Sequence, residues 1–590
     1  MKFAVLVLTA LAAHAELVRL EIAPKSTARE ISGRAHFAVD PAAAPNRAID
    51  GINKAARNAQ GKVEFSADFH IVVPEKPSGV LLFEASNRGG RGITNTFDRA
   101  GDPLTEREGL TLVWVAWQHD VSKGLRLYAP IARGVEGWVR SEKTADTAVE
   151  RFSLGDGTHI PYTVSDASKA RAYFRDGEDG VRHPMPQGSW KIEGTEMVLT
   201  PPGKPGRTYE VVYPSKDPVV AGLGFAAVRD FISAVRYNND RGAKLPKITH
   251  TLAYGSSQSG TALRGLLYEG FNLDEQGRRV FEGVFSNVAG GRRMALNLFS
   301  QPSRTAGPFR DASFSRTDQP PYTDWDLLAK YKDKSQWPKI FHVNSSYEYW
   351  GSSGSLTHTT ADGRADVAPP ETTRIFTISG GQHGPAAFPP KRAKSINLPN
   401  FNDYKWAHRS LLIRSRDWVA SDAQPPASRY PLVAKGELVT LANYRAVKPK
   451  TMHRTYALNF KTEPPKVGKE YGPRIIQADA DGNDRGGLAM TDVAVPLGAF
   501  AGWNTRVAEI GGEGELIANV GSYLPFPWKK VLDRYGDKAG YLSKVREASA
   551  VLIKDGYLLD RDLDAVIKRA TAHWEWRERE SSPAVSSAAR

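Results

Sequence analysis

Residues 248–270 constrain this chain more than any other stretch. Ile248 to Tyr254 reads as a buried strand, and Thr261 onward, with Leu263, Leu266 and Leu267, as a helix that Gly270 stops. Between them lies Gly255-Ser256-Ser257-Gln258-Ser259-Gly260. A strand that bends straight into a helix needs small residues two before and two after the apex. Ser257 at the apex meets that need with Gly255 and Ser259. Ser256 would put Tyr254 at one of those places, and Ser259 would put β-branched Thr261 there. The pattern is small-x-Ser-x-small, with Ser259 where a second glycine is usual. It lacks the G-x-x-x-x-G-K spacing of a phosphate loop. An inert Gly/Ser-rich loop is the bland alternative.

The flanking sequence predicts a doubly wound, mostly parallel sheet. Val80-Leu81-Leu82-Phe83, Leu110 to Trp117, Phe281 to Phe285, Lys339 to Val343 and Arg374 to Ile378 are short apolar runs, as strands covered on both faces require. Alternating runs at Val18–Ile22 and Val63–Val73 precede them. Phe225, Val228, Ile232 and Val235 recur at helical spacing, with Asp217-Pro218 upstream as a start signal. Residues 122–215 are rich in Gly, Pro and Asp and predict a β-rich insertion. Residues 290–337 predict a cap segment over a pocket. The expected core is 16–430, followed by a C-terminal extension at 431–576 and a disordered tail at 577–590.

Composition removes whole classes of function. With 41% hydrophobic and 24% charged positions in 590 residues, the chain is not mostly disordered. Zero cysteines exclude disulfides, thiolate metal sites and a cysteine nucleophile. The net charge of +14 is not gathered into a Lys/Arg block, so no nucleic-acid partner is expected. Lys2, the apolar run Phe3–Ala13 and Ala13-His14-Ala15 read as an export signal cleaved after Ala15, placing the protein in the periplasm or medium. No later apolar run is long enough to span a membrane.

A serine hydroxyl needs a base, and the base an orienting acid; after a strand–elbow–helix the chain order is Ser, acid, His. Glu348 follows the strand at 339–343 and His383, in Gly380-Gly381-Gln382-His383-Gly384, follows the strand at 374–378. Of 13 histidines, only His358 competes for the base. Asp362 and Asp366 compete with Glu348 for the acid. The oxyanion donors would be the N–H of Gln258 and one from the Ser86–Arg91 loop, at Asn87 or Arg88.

These residues resemble the α/β-hydrolase fold, and more narrowly the bacterial alpha/beta hydrolase domain-containing proteins. The resemblance rests on Asn87-Arg88-Gly89, Gly255 to Gly260, Gln301-Pro302-Ser303-Arg304, Glu348-Tyr349-Trp350 and Gln382-His383-Gly384. It continues through Asp479-Ala480-Asp481-Gly482-Asn483 and Gly502-Trp503-Asn504. It spans nearly the whole chain after residue 15, which implies that the extension packs on the core. It supplies no substrate.

The remaining candidates are weaker. Asp479 to Asp484 clusters oxygen ligands, but an EF-hand loop needs glycine sixth and glutamate twelfth, where Asp484 and Met490 stand. No H-E-x-x-H occurs, so neither a catalytic metal nor a cofactor is expected. Trp117, Trp325, Trp337, Trp350 and Trp503 are candidates for a pocket lining, and Arg88, Arg91, Arg304 and Arg310 for holding an anionic group. Of these, Trp350, Trp503 and Arg304 are the expected substrate contacts. The expectation is an exported serine hydrolase of small-molecule esters using Ser257, His383 and Glu348. The alternatives are amide or peptide cleavage on the same trio, or a silent ligand-binding protein. Oligomeric state is not legible.

Overall fold

The computed structural model describes residues 16–157, 159–177, 180–237, 243–304, 320, 322–392, 394–459 and 466–581. The expected export signal lies outside them, as do residues 305–319 and 321 of the expected cap segment. Among the described residues, a ten-stranded sheet organises the chain. On one side, β1 (Glu16–Ile22), β2 (Glu30–Val39) and β3 (Val63–Val72) run antiparallel. The parallel strands β4 (Val80–Glu84), β5 (Thr111–Val115), β6 (His250–Ser256), β7 (Gly283–Asn287), β8 (Lys339–Ser345) and β9 (Thr373–Ile378) complete it. The spatial order is β3-β5-β4-β6-β7-β8-β9, and the two-residue strand Leu127–Tyr128 pairs with β3.

Both faces of the parallel strands are covered, which is why they read as unbroken apolar runs. Leu81 and Phe83 of β4 enter one core with Phe225, Val228 and Ile232 of α1 (Leu223–Arg236) and Leu263 and Leu266 of α2 (Gln258–Glu269). Val80 and Leu82 enter a second core on the other face. It is built with Leu411 and Leu412 of α3 (Lys405–Ser421), Val545 of α4 (Lys538–Lys554) and Val566 and Trp574 of α5 (Leu563–Glu580). Each such side chain contributes about 1.5–3 kcal/mol by leaving water. No helix among the described residues is long and apolar enough to cross a membrane.

Segments that follow α3 also finish the sheet. Arg429 and Leu488 form parallel bridges to Phe376 and Ile378 of β9, so the edge strand's free N–H and C=O groups are paired. Residues 122–215 hold two small antiparallel sheets with their own core around Phe152, Leu154, Val211 and Tyr213.

Two expectations give way to the structure, and one helix was not expected. α1 starts at Leu223, not at Asp217-Pro218, because Asp217 sits at φ 52 in a turn where its carboxylate accepts from the Gly134 N–H. The tail cannot begin at 577: α5 runs to Glu580, and buried Arg577 donates to the Phe526 carbonyl at 2.7 Å. Residues 582–590 lie outside the described set. Finally, α3 escaped the sequence reading because buried Arg409 and His408 break its apolar pattern. Arg409 is held by Asp562 at 2.9 Å and by Asp102.

Candidate active site

β6 ends at Ser256 and α2 begins at Gln258, leaving Ser257 between them at φ 58, ψ −120. A non-glycine residue held there costs about 1–3 kcal/mol. Its neighbours are sized to allow it. A Cβ on Gly255 would lie 2.5 Å from the Ser259 carbonyl oxygen, and one on Gly260 2.9 Å from that of Asn287. The second obligatory glycine is therefore Gly260, one place beyond the expected position. Ser259 has room for its hydroxyl, which is buried without a hydrogen-bond partner among the described residues. The Ser257 N–H donates to the Asn287 carbonyl at 2.9 Å, tying the elbow to the end of β7. Ser256 is turned away: its Oγ accepts from Asn287 Nδ2 at 3.0 Å.

At the ends of β8 and β9 stand the other two members of the trio. Glu348, fully buried, follows β8 in a short helix, Tyr347–Gly351. One of its oxygens, Oε2, accepts from the N–H (2.8 Å) and Oγ (2.5 Å) of Ser345. The other, Oε1, accepts from His383 Nδ1 at 2.6 Å. With Nδ1 donating to a carboxylate, the proton of the neutral ring is on Nδ1 and Nε2 is left as an acceptor. Nε2 lies 2.8 Å from Ser257 Oγ. The Tyr347 ring meets the imidazole edge-on at 5.8 Å.

The competitors are engaged elsewhere. His358 is fully buried against the Tyr349 hydroxyl at 2.8 Å, and burial pulls its pKa down to about 4. Asp362 accepts from Thr360 Oγ1 and the Arg364 N–H. Asp366 accepts from the N–H groups of Val433 and Ala434.

On the opposite side of the elbow lies the loop after β4. Asn87 Nδ2 donates to the Ser256 carbonyl at 3.2 Å, and its Oδ1 accepts from Arg88 Nη1 at 2.9 Å. Arg88 has φ 51, and burial draws its guanidinium below the usual arginine range. Trp117 Nε1 braces this loop by donating to the Ser86 carbonyl at 2.8 Å. Gln258 opens α2, where the first N–H groups have no partner inside the helix.

A family model for the alpha/beta hydrolase domain matches residues 189–568. The chain belongs to the alpha/beta hydrolase domain family. Among solved structures, this alpha/beta hydrolase domain protein is similar to acetyl xylan esterase 1 from Thermoanaerobacterium sp. JW/SL YS485 (12% identity, 61% of this chain and 80% of that one, TM-score 0.22). It is also similar to an S-formylglutathione hydrolase from Agrobacterium tumefaciens (9% identity, 56% and 79%, TM-score 0.20). A promiscuous CE15 esterase from a marine bacterial metagenome is a third (10% identity, 62% and 80%, TM-score 0.22). Comparison with curated proteins returns no match.

The expected substrate contacts of this alpha/beta hydrolase domain protein fare differently from its trio. Trp350 is fully buried against Tyr444 and Trp503 and cannot line an open pocket. Trp503, also buried, borders a separate cavity of about 720 Å³ with Tyr444, Asp479 and Asp481. Arg304 spends its guanidinium on the carbonyls of Arg140 (3.1 Å) and Glu142 (2.9 Å). Trp325 donates to the Ala368 carbonyl and meets Trp337 edge-on. Arg91 lies over Trp114, and Arg310 is outside the described residues. The Asp479 segment is a turn: Asp479 accepts from the N–H groups of Asp481 and Asn483, while Asp481 pairs with Lys530 and Arg534.

The sequence reading missed Gln118, Ser345 and Asn287, which hold the candidate residues without reacting. Nothing in their local sequence marks them. Gln118 lies just past the end of β5, and Ser345 and Asn287 are the last residues of β8 and β7; that placement is the only available signal.

Proposed function

We propose that this chain is a serine hydrolase that cleaves carboxylic esters. The observation that carries the reading is the continuous relay from Ser257 Oγ to His383 Nε2 (2.8 Å) and from His383 Nδ1 to Glu348 (2.6 Å). In the reaction, Oγ attacks the ester carbonyl while Nε2 takes its proton. Glu348 holds the ring tautomer and stabilises the imidazolium that forms. The carbonyl oxygen becomes an oxyanion, facing the N–H of Gln258 and one from the Asn87-Arg88 backbone. Loss of one such donor costs about 3 kcal/mol. The N-terminal end of α2 adds a favourable partial charge at the same place. His383 then protonates the departing alcohol, and water, activated by the same imidazole, releases the acyl group from Ser257. The reading of residues 1–15 as an export signal makes this an exported enzyme.

The test is turnover of a short-chain aryl ester, with an anilide in parallel to set the bond class. Ser257→Ala should lower kcat by about 10⁴-fold or more with an unchanged circular dichroism spectrum. A fluorophosphonate should modify Ser257 and no other serine. Full activity in the alanine variant excludes this nucleophile.

A further inference from the structure

We propose that Gln118 is a positioning residue for the oxyanion hole, acting through the Pro302-Ser303-Arg304 turn. The inference rests on the esterase reading above. Three consecutive carbonyls of this turn each accept one side-chain bond. Pro302 accepts from Gln118 Nε2 at 2.9 Å, Ser303 from Arg88 Nε at 2.9 Å and Arg304 from Gln258 Nε2 at 2.7 Å. The Ser303 N–H in turn donates to both carboxylate oxygens of Asp120, at 3.1 and 3.2 Å. The gripping residues come from the loop after β4, the loop after β5 and the first position of α2.

Gln118 closes this arrangement. Its Nε2 also donates to Gln258 Oε1 at 2.9 Å, so the two glutamines and the turn form one ring of bonds. A carbonyl can only accept, so Pro302 and Arg304 fix which way both amides point. Gln118 is fully buried, and no bulk water competes for its bonds. Arg88 and Gln258, which belong to the two segments assigned the oxyanion donors, are thereby bound to one short piece of backbone. If the turn shifts, both donors shift with it.

The β-rich insertion supports the turn from outside. Arg304 reaches the Arg140 and Glu142 carbonyls, Gln301 Nε2 donates to the Arg140 carbonyl at 3.3 Å, and Gln301 Oε1 meets His159 Nε2 at 3.0 Å. This gives the Gln301–Arg304 motif and the insertion a shared task that packing alone does not explain.

Oxyanion donors act in the transition state, not in the ground state, and a misplacement of about 1 Å costs on the order of 10²-fold in rate. Gln118→Met keeps the volume and removes the donor. We expect kcat to fall 10- to 100-fold while KM changes less than threefold. An aryl trifluoromethyl ketone forms a bond from Ser257 Oγ to its carbonyl carbon, giving an oxyanion in the same place as the proton passes to His383. Its affinity should fall by the same factor as kcat/KM, while that of the product carboxylate stays constant. Gln118→Asn keeps the amide but shortens its reach, and it should give the same pattern if the Met variant does not fold. Unchanged kcat and ketone affinity overturn the proposal. So does a parallel loss of ketone affinity, product affinity and melting temperature, which marks general loosening. Ser257→Ala separates the two claims: if that variant still turns over ester, the esterase reading fails first. If it is dead and Gln118→Met matches wild type, only the positioning role fails.

Discussion

The elbow and the acid–base loop face each other across 2.8 Å, yet they are held in unlike ways. The elbow is local. Gly255, Gly260 and the Asn287 carbonyl, all within two strands of Ser257, enforce its geometry by close contact. The loop Ser379–Gly384 is held by polar groups from far downstream. Ser379 N–H donates to Leu488 O and its Oγ to Gly486 O, while the Gly380 N–H donates to Asp484 at 2.6 Å. Asn400 donates to the Gly380 carbonyl, and Tyr404 to that of Gln382. Gln382 Oε1 accepts from the N–H groups of Gly521 and Asn400. A nucleophile can be set by strain within one turn, whereas a base that must change charge is set by a network able to tolerate that change. The family match reaching residue 568 fits this division, since the extension carries Asp484, Gly486, Leu488 and Gly521 among the loop's partners.

The largest expected effect lies in the network half. Glu348→Gln can present an amide N–H to His383 Nδ1, which moves the ring proton to Nε2 and removes the acceptor for Ser257. We expect kcat to fall about 10³- to 10⁴-fold with the fold retained. A loss below tenfold would mean that the carboxylate is not what orients the ring. In the local half, Gly255→Ala puts a methyl 2.5 Å from the Ser259 carbonyl oxygen, so the elbow must open. The rate of fluorophosphonate labelling at Ser257 should drop by about 10²-fold, with about 3 kcal/mol lost in urea unfolding. Wild-type labelling would show that strain does not set the nucleophile. Gln382→Leu is milder, because Asn400, Tyr404 and Asp484 still grip the loop. A 10- to 100-fold loss of kcat with little change in KM is expected, on the order of 1–3 kcal/mol. An effect on KM alone would place Gln382 in substrate binding instead.

The same contrast decides what was legible in the sequence. Ser257 announces itself because a strand, the small residues Gly255 and Ser259 on either side of the apex, and a helix are contiguous. The parallel strands were legible for a similar reason: two covered faces leave no polar alternation. Glu348 and His383 could be ranked because each follows a strand whose order is fixed by the fold. Their supports could not. Asn400, Asp484 and Gly521 lie in segments without periodicity, and their meaning exists only once those segments pack beside β9. Asp484 illustrates it: in sequence it belongs to a possible cation loop, whereas in the structure it accepts the Gly380 N–H, and burial pushes its carboxyl up to about 6. Trp350 and Arg304 failed as substrate contacts for a related reason. An aromatic ring or a guanidinium in a motif reads as a recognition group, but one is core and the other holds backbone carbonyls.

The smallest effect tests whether α3, behind the loop, is coupled to it at all. His408 is buried between Tyr404 and Phe285, and neither ring nitrogen has a hydrogen-bond partner among the described residues. Burial, with lesser contributions from Lys405 and Arg99, draws its pKa down to about 3. The folded value is below the unfolded one, so the unfolded chain takes the proton first. Stability is full above about pH 6.5 and is lost as pH falls towards 3, by an amount on the order of 4 kcal/mol. His358 acts the same way down to about 4. Asp484 acts oppositely between its ordinary range and about 6, because there the folded chain holds the extra proton. His408→Phe keeps the ring, removes an uncompensated polar edge and should match or exceed wild-type stability at pH 7 by about 1 kcal/mol. Its loss of stability between pH 6.5 and 4 should be shallower in urea melts. Identical slopes would remove His408 from the acid transition. A changed kcat at pH 7 would show that α3 reaches the base through Tyr404, and that the network half extends one layer deeper than the bonds to Ser379–Gly384.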